Sequence, residues 1–285
     1  MFKTVILGCE NSHANSFLKY IKEDSEFSDI EVIGIYSNEE DKAQKLSEEF
    51  GVPVMNSYDE AVGKVDGVII TARHGDNHLK YAEKYIKNGV SFFIDKPFTC
   101  SVKEGEKLCK MLTENGCRFV GGSSLMHTEM IQKLKAERIN GENGKTIGGF
   151  LRHPVDLSSP YGGIYFYAHH LITSVIEAFG DDIKSVSAVK NATGLNVVFR
   201  YSDYDVTGMF AELNYVYYAV RHSEKGVSGG EFTVGVSASR KEMEEFHDIL
   251  TGKSSGMTAE SILKPVYVMD AIVQSLDSGK EEQVK

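Results

Sequence analysis

The first residues suited to chemistry form a turn after an apolar segment. Lys3–Leu7 has the pattern of a buried strand and stops at Gly8, and the run Gly8-Cys9-Glu10-Asn11-Ser12-His13 leads into an amphipathic stretch. In dinucleotide-binding proteins such a turn places backbone N–H groups and a helix N-terminus against a pyrophosphate. The candidate phosphate-binding residues are therefore Gly8, Asn11, Ser12 and His13.

This turn departs from the dinucleotide motif GxGxxG, of which it keeps only the first glycine. Glu10 stands at the second glycine position, where a carboxylate repels a diphosphate unless it points away or is neutralised. His13 stands at the third, where glycine normally allows a helix to pack closely on its strand. Asn11 and Ser12 suit a helix N-cap. The motif alone leaves open a dinucleotide site and a merely structural strand–turn–helix.

The end of the second predicted strand, Ile30–Tyr36, bears on the choice of nicotinamide. An acid at this position binds the ribose 2′-hydroxyl of NAD, whereas a small or basic environment admits the 2′-phosphate of NADP. Here Ser37 and Asn38 follow the strand, and Arg73 follows a later one. The expected cofactor is NAD or NADP. The pattern leans towards NADP, although Glu39-Glu40 opposes this.

Composition excludes several other classes of protein. The 285 residues include 31 basic and 41 acidic ones, a net charge of −10 that argues against nucleic-acid or membrane-surface partners. No apolar run is long enough to span a membrane, and no signal-peptide pattern is present. The four cysteines form no CxxC pair, as expected for reduced thiols in a cytoplasmic protein. No metal site is predicted, because the following residues lack ligand spacing: His127, His153, Asp156, His169 and His170.

The elements that must position these residues alternate in the first half of the chain. Strands are predicted at residues 3–7, 30–36, 52–55, 66–71, 91–94 and 118–120, and helices up to about 22 and at 39–50, 77–88 and 101–114. Nearly continuous apolar strands alternating with helices indicate a parallel sheet covered on both faces. We therefore expect an α/β, Rossmann-type domain over residues 1–121.

The second half has a different pattern. Helices are predicted at 126–137, 166–179, about 241–250 and 259–278, and strands at 146–151, 183–189, 195–201, 206–213, 215–221 and 231–236. Consecutive strands without intervening helices indicate an antiparallel meander. We therefore expect residues 122–285 to form an α+β domain on an open, mostly antiparallel sheet.

The run Asp95-Lys96-Pro97, directly after the apolar Phe92-Phe93-Ile94, resembles the Glu-Lys-Pro motif of the Gfo/Idh/MocA oxidoreductase family. His78 matches the histidine of that family's Asn-x-x-His segment. Further on, Gly162-Gly163 and His170-Leu171-Ile172 resemble its Gly-Gly and His-Leu-Ile motifs. The resemblance follows the whole chain in order and spacing.

This resemblance implies an NAD(P)-dependent oxidoreductase that moves hydride between nicotinamide and a hydroxyl-bearing carbon of a sugar, cyclitol or related small molecule. Lys96 is then expected to orient the substrate hydroxyl and assist proton transfer, with His170 as general acid/base. The remaining expected cofactor contacts are Ser37, Asn38, Thr71, Ala72, Arg73, His78, Asp95 and Lys96.

Two departures from the family pattern keep an alternative open. Phe166 replaces the family's aspartate, and Thr173 replaces its later acid. Tyr165, or Tyr161, is the candidate to supply a hydroxyl instead. With the altered first turn, these changes leave open a non-catalytic relative that acts as a nucleotide or sugar sensor or as a partner subunit.

Self-association is also expected. In this family the open sheet commonly pairs subunits, and Tyr215-Val216-Tyr217-Tyr218 offers apolar surface. We therefore expect a homodimer or homotetramer formed through the C-terminal sheet.

Overall fold

The computed structural model describes the backbone of residues 1–285 and every side chain except those of residues 88 and 236. The chain divides into two compact units. The first comprises Met1–Gly122 and Ser239–Leu263, and the second comprises Ser123–Ala238 and Lys264–Lys285. Within the described residues, no helix is both long and apolar enough to cross a membrane.

The first unit is built on five parallel strands in the order β2-β1-β3-β4-β5. The strands are β1 (Phe2–Leu7), β2 (Ile30–Tyr36), β3 (Gly67–Ile70), β4 (Ser91–Asp95) and β5 (Phe119–Gly122), and the helices are α1 (Ser12–Glu23), α2 (Glu40–Phe50), α3 (Asp76–Ala82) and α4 (Val102–Glu114). Short 3-10 turns cover Ser25–Phe27 and Ile86–Asn88. The Rossmann-type prediction is confirmed.

Two predicted elements of this unit are shorter in the structure. The helix expected at 77–88 is interrupted, because α3 ends at Ala82 and a 3-10 turn follows. The short third strand is reduced to one parallel bridge between Ile35 and Val54. Both changes lie at the edges of the unit, while β3 and β4 are buried along their whole length.

From Ser239 onwards, the helix α7 (Val236–Thr251) belongs to the first unit, although the sequence analysis assigned this segment to the second domain. Its Phe246 and Leu250 pack on Gly67 of β3, where an added Cβ would lie 2.7 Å from Leu250 Cδ2. The packing of α7 on β3 joins segments that are far apart in the chain, so no local sequence pattern predicts it. The strand expected at 231–236 is also displaced, because α7 begins at Val236.

The second unit is a seven-stranded sheet in the order β11-β10-β6-β9-β8-β7-β12. Its strands are β6 (Thr146–Val155), β7 (Ser185–Asn191), β8 (Gly194–Arg200), β9 (Asp205–Glu212), β10 (Tyr217–Ser223), β11 (Gly226–Phe232) and β12 (Glu282–Gln283). All neighbours are antiparallel except β6 and β9. The mostly antiparallel sheet is confirmed, but β6 lies between β9 and β10 and interrupts the simple meander.

Three helices pack on one face of this sheet: α5 (Glu129–Asn140), α6 (Ile164–Phe179) and α8 (Ala259–Ser278). Along β6, Leu151 and Val155 are fully buried in the same apolar core as residues of all three helices. Phe150 and Arg152, which alternate with them, are only partly buried. The sheet therefore has one covered face and one open face.

Candidate functional site

The first turn of the Rossmann unit brings the ends of β1 and β3 together. Gly8 has a φ of +83°, and a Cβ at this position would lie 2.2 Å from Ala72 Cα. The Thr71 hydroxyl donates to the Gly8 carbonyl over 3.0 Å. Glycine is required here both for its positive φ and because Ala72, just after β3, approaches it so closely.

The N-terminus of α1 follows this turn. Asn11 is the N-cap, and its Oδ1 accepts a hydrogen bond from the His13 N–H over 3.2 Å. Ser12 is exposed, and the first helical turn contains no acidic residue. A helix start of this kind has the N–H donors and positive dipole end that favour a phosphate.

Glu10, the residue expected to repel a diphosphate, is tied to the ends of two strands. Its Oε2 accepts from Ser37 Oγ over 2.7 Å, and its Oε1 accepts from the Arg73 N–H over 3.0 Å. Both carboxylate oxygens are thereby hydrogen-bonded. Glu10, which follows β1, therefore links two of the sequence-predicted positions: Ser37 after β2 and Arg73 after β3.

A cleft of about 670 Å³ opens at the end of β2. It is lined by Tyr36, Ser37, Asn38, Glu40, Asp41, Gln44, Val54, Met55 and Asn56. In Rossmann domains the adenosine ribose lies at the end of this strand. Among the lining residues, Glu40 and Asp41 are acidic and none is basic.

Asp95, at the end of β4, is fully buried and is the centre of a hydrogen-bonded cluster. Its Oδ2 accepts from Asn11 Nδ2 over 3.1 Å and lies 2.9 Å from His13 Nδ1, while its Oδ1 accepts from the Lys96 N–H over 2.7 Å. Burial by itself raises the pKa of Asp95, but His13 and Lys96 outweigh it and hold that pKa below its usual value. The side chains of Asn11 and His13 are thus engaged with an ionised carboxylate.

Lys96 is also buried, with 5% of its surface exposed. Burial lowers the pKa of its ammonium group, the charges of Asp95 and Glu242 oppose that shift, and Arg73 adds to it. The Lys96–Pro97 peptide bond is cis. The result is a lysine whose proton is held less firmly than that of a solvated one.

Glu242 of α7 was missed by sequence reasoning. It is 2% exposed, and neither carboxylate oxygen has a hydrogen-bond partner among the described residues. Burial and the charge of Asp95 raise its pKa well above the usual range, and Lys96 opposes this. Nothing in the local sequence indicates this position, because it depends on α7 returning to the Rossmann sheet.

His78, predicted as a cofactor contact, is enclosed by backbone. Its Nε2 lies 2.8 Å from the Ala72 carbonyl and its Nδ1 lies 3.1 Å from the Phe98 carbonyl. Burial lowers the pKa of His78. Since its side chain is fully buried and Thr71 is similarly enclosed, both residues support the loops of the site instead of presenting side chains to a ligand.

In the second unit, His170 of α6 is held by a serine. Ser123 Oγ lies 2.6 Å from His170 Nδ1 and accepts a further hydrogen bond from the Leu125 N–H over 3.2 Å. Both side chains are buried. Ser123 fixes the ring of His170, and sequence reasoning missed it because the two residues are 47 positions apart.

Aromatic side chains surround the start of α6. The Phe166 and Tyr167 ring centroids are 5.0 Å apart in an edge-to-face arrangement, and the Tyr167 ring lies 5.6 Å from that of His170. Tyr165 is partly buried and packs against the apolar core of its unit. The position of the family's aspartate is thus occupied by an aromatic cluster.

Comparison with known proteins identifies the first unit. Residues 2–123 match the Gfo/Idh/MocA family model, described as an oxidoreductase family with an NAD-binding Rossmann fold. Over these residues the chain is similar to the Gfo/Idh/MocA family. None of the curated proteins compared with the chain matches it.

Solved structures share the fold over the complete chain. A myo-inositol dehydrogenase from Corynebacterium glutamicum is 15% identical, with a TM-score of 0.84, and the match covers 100% of this chain and 99% of that one. A scyllo-inositol dehydrogenase from Lactobacillus casei, solved with NAD(H) and scyllo-inositol, is 16% identical with a TM-score of 0.85, and the coverage is again 100% and 99%. At 15–16% identity, this similarity shows a shared fold and nothing more.

The residues of the first unit fit an NAD-type cofactor. Gly8 allows the turn to pass close to the residues after β3, and the first turn of α1 contains no acid. The Glu10 carboxylate is hydrogen-bonded to Ser37 and to the Arg73 N–H. Ser12 and the cleft beside Asn38 would hold the phosphate and adenosine portions. The altered motif is therefore compatible with a dinucleotide.

Proposed function

We propose that this protein is an NAD-dependent dehydrogenase that acts on a hydroxyl-bearing carbon of a sugar, cyclitol or related polyol. The observation that carries the proposal is Lys96, a buried lysine at the carboxyl end of β4 whose ammonium pKa is lowered by burial. Ligands of open α/β sheets bind at this end of the strands. The scyllo-inositol bound in the Lactobacillus casei structure supports the substrate class.

Bound nicotinamide supplies or accepts the hydride. Lys96 Nζ forms a hydrogen bond with the substrate hydroxyl and accepts its proton when the alcohol is oxidised. Asp95 accepts from the Lys96 N–H and keeps this part of the backbone in place. His170, whose ring is fixed by Ser123, is the second proton-transfer group.

The preferred nicotinamide in this proposal is NAD, not the NADP towards which the sequence leaned. The residue that decides is Glu10, because its carboxylate accepts from Ser37 at the end of β2. Glu40 and Asp41 add negative charge to the adjoining cleft. A ribose 2′-phosphate would meet these charges, whereas a hydroxyl is able to donate to them.

Lys96→Met tests the mechanism. The purified variant is expected to bind NADH as the wild type does, by calorimetry, while its kcat on cyclitols and sugars falls at least about 100-fold because the proton acceptor is lost. Lys110→Met, at an exposed lysine of α4, is the control and should keep normal turnover. Normal turnover by Lys96→Met would remove this lysine from the mechanism.

The altered turn at Glu10 and His13, together with Phe166, is also what a non-catalytic relative would carry. If neither NADH nor NADPH binds the wild-type protein at millimolar concentration, the dehydrogenase proposal fails. The chain is then better described as a sensor or partner subunit that binds another nucleotide or a sugar.

A further inference from the structure

Three potential metal ligands of different chemistry meet beside the carboxyl ends of β3 and β4. One ring nitrogen of His74, a carboxylate oxygen of Asp76 and Cys100 Sγ all lie within 4.8 Å of one another. The imidazole nitrogen is 3.6 Å from Asp76 Oδ2. None of the three residues was predicted as a ligand, because 24 positions separate Asp76 from Cys100.

The backbone brings these ligands together through a residue that has no side chain. Gly75 lies between His74 and Asp76, and a Cβ on it would be 2.9 Å from Cys100 Sγ and 2.8 Å from Pro97 Cγ. Any larger residue would push the loop away from the cysteine. The close approach of the thiol to this loop therefore depends on glycine.

The Nδ1 atom of His74 has one long hydrogen bond within the loop. The Asp76 N–H donates to the lone pair of His74 Nδ1 over 3.4 Å, so a metal bound at this nitrogen would replace that hydrogen bond. Asp76 is exposed, whereas His74 and Cys100 are partly buried. The cluster is thus open on one side, as a site with a fourth, exchangeable ligand would be.

Ligand type and spacing select the metal class. Zinc binds nitrogen, oxygen and sulfur at about 2.0–2.3 Å, which in a tetrahedron separates neighbouring ligands by about 3.3–3.8 Å. The His74–Asp76 separation already lies in this range. Calcium and magnesium prefer sites made entirely of oxygen ligands, so a thiol disfavours them.

We propose that His74, Asp76 and Cys100 bind a zinc-class divalent cation, with water in the fourth position. The cation would join the loop after β3 to the segment that follows Lys96 and Pro97. On binding, the Cys100 proton is released to solvent and the thiolate coordinates the metal. No oxidation or group transfer is involved, and the site does not depend on the proposed dehydrogenase activity.

The test uses the full-length protein after treatment with a chelator. Titration with Zn²⁺ should show one ion per chain with a micromolar or tighter Kd, and Co²⁺ should give a thiolate-to-metal charge-transfer band. Cys100→Ser should abolish that band and weaken Zn²⁺ binding at least about tenfold. Asp76→Asn should also weaken Zn²⁺ binding. Because Asp76 is exposed, this variant should fold normally and tests the site even if Cys100→Ser misfolds.

His222→Ala is the matched control, because it removes an exposed imidazole of β10. It should leave the affinity and the cobalt band unchanged. Three results would overturn the proposal: no Zn²⁺ binding, a wild-type cobalt spectrum without the thiolate band, or Zn²⁺ binding by Cys100→Ser and Asp76→Asn that equals the wild type.

Discussion

At the residue scale, Glu10 shows how one side chain changes the meaning of a motif. By sequence it breaks the glycine pattern and argues against a diphosphate. In the structure its carboxylate is bonded to Ser37 and to the Arg73 N–H, so its charge lies at the end of β2. Under the proposed NAD preference, this carboxylate would take the place of the acid that NAD-specific Rossmann domains carry at the end of β2.

Glu10→Gln should therefore relax cofactor preference. Removing the charge is expected to tighten NADPH binding about tenfold, which corresponds to about 1.4 kcal/mol, with a smaller effect on NADH. Calorimetry with both cofactors measures the ratio. Glu48→Gln, at an exposed position of α2, is the control. An unchanged ratio of the two dissociation constants would contradict the role given to Glu10.

In the proposed mechanism, Ser123 is expected to affect catalysis by holding the ring of His170. Ser123→Ala removes the hydroxyl that contacts Nδ1 and should lower kcat about tenfold, because a buried hydrogen bond is worth about 1–2 kcal/mol. Ser174→Ala provides the comparison, since the Ser174 hydroxyl donates to the backbone carbonyl of the same histidine. That variant should lose stability but keep its kcat. Equal kcat losses in both variants would assign Ser123 to packing alone.

At the scale of elements, α7 completes the Rossmann unit and adds a buried carboxyl to it. Met243, Phe246, Ile249 and Leu250 of this helix join the apolar core of the unit. The same helix inserts Glu242, whose electrostatic neighbours are Asp95, Lys96 and Glu245. A helix distant in sequence thereby affects the charge balance around Lys96.

Glu242 should make the stability of the fold depend on pH. Its pKa is raised in the folded state, so its contribution is fully present below the unfolded value of about 4.5 and is lost as pH rises through the folded value. Glu242→Gln removes this loss. Urea unfolding should show the variant gaining stability relative to wild type between pH 5 and pH 8. A constant difference across that range would contradict the expectation, and Glu48→Gln should show none.

At the scale of the whole molecule, the open face of the second-unit sheet is the surface expected to pair subunits. Tyr218 and Phe150 lie on neighbouring strands with their rings 6.3 Å apart, and Tyr218 remains 38% exposed. Val189 and Val227 are exposed further along the same sheet. Apolar residues that stay accessible on an open sheet favour association.

We expect a dimer or tetramer by light scattering, and Tyr218→Glu should weaken its assembly at least about 100-fold by placing a charge on that face. Ile139→Glu, at an exposed apolar position of α5, should leave the mass unchanged. A monomeric wild-type protein at micromolar concentration would refute this expectation.

Both sheets, most of their strands and the motif around Lys96 were predictable from the amino-acid sequence, because apolar periodicity and turn residues act locally. It also placed Gly8, Asn11 and Asp95 near the ends of the strands that carry them. Three contacts became known from the folded chain: Glu10 bonds to Ser37 at the end of β2, Ser123 holds His170, and Glu242 reaches the neighbourhood of Lys96. These depend on contacts between residues far apart in the chain, which the packing of complete elements sets and no local pattern encodes.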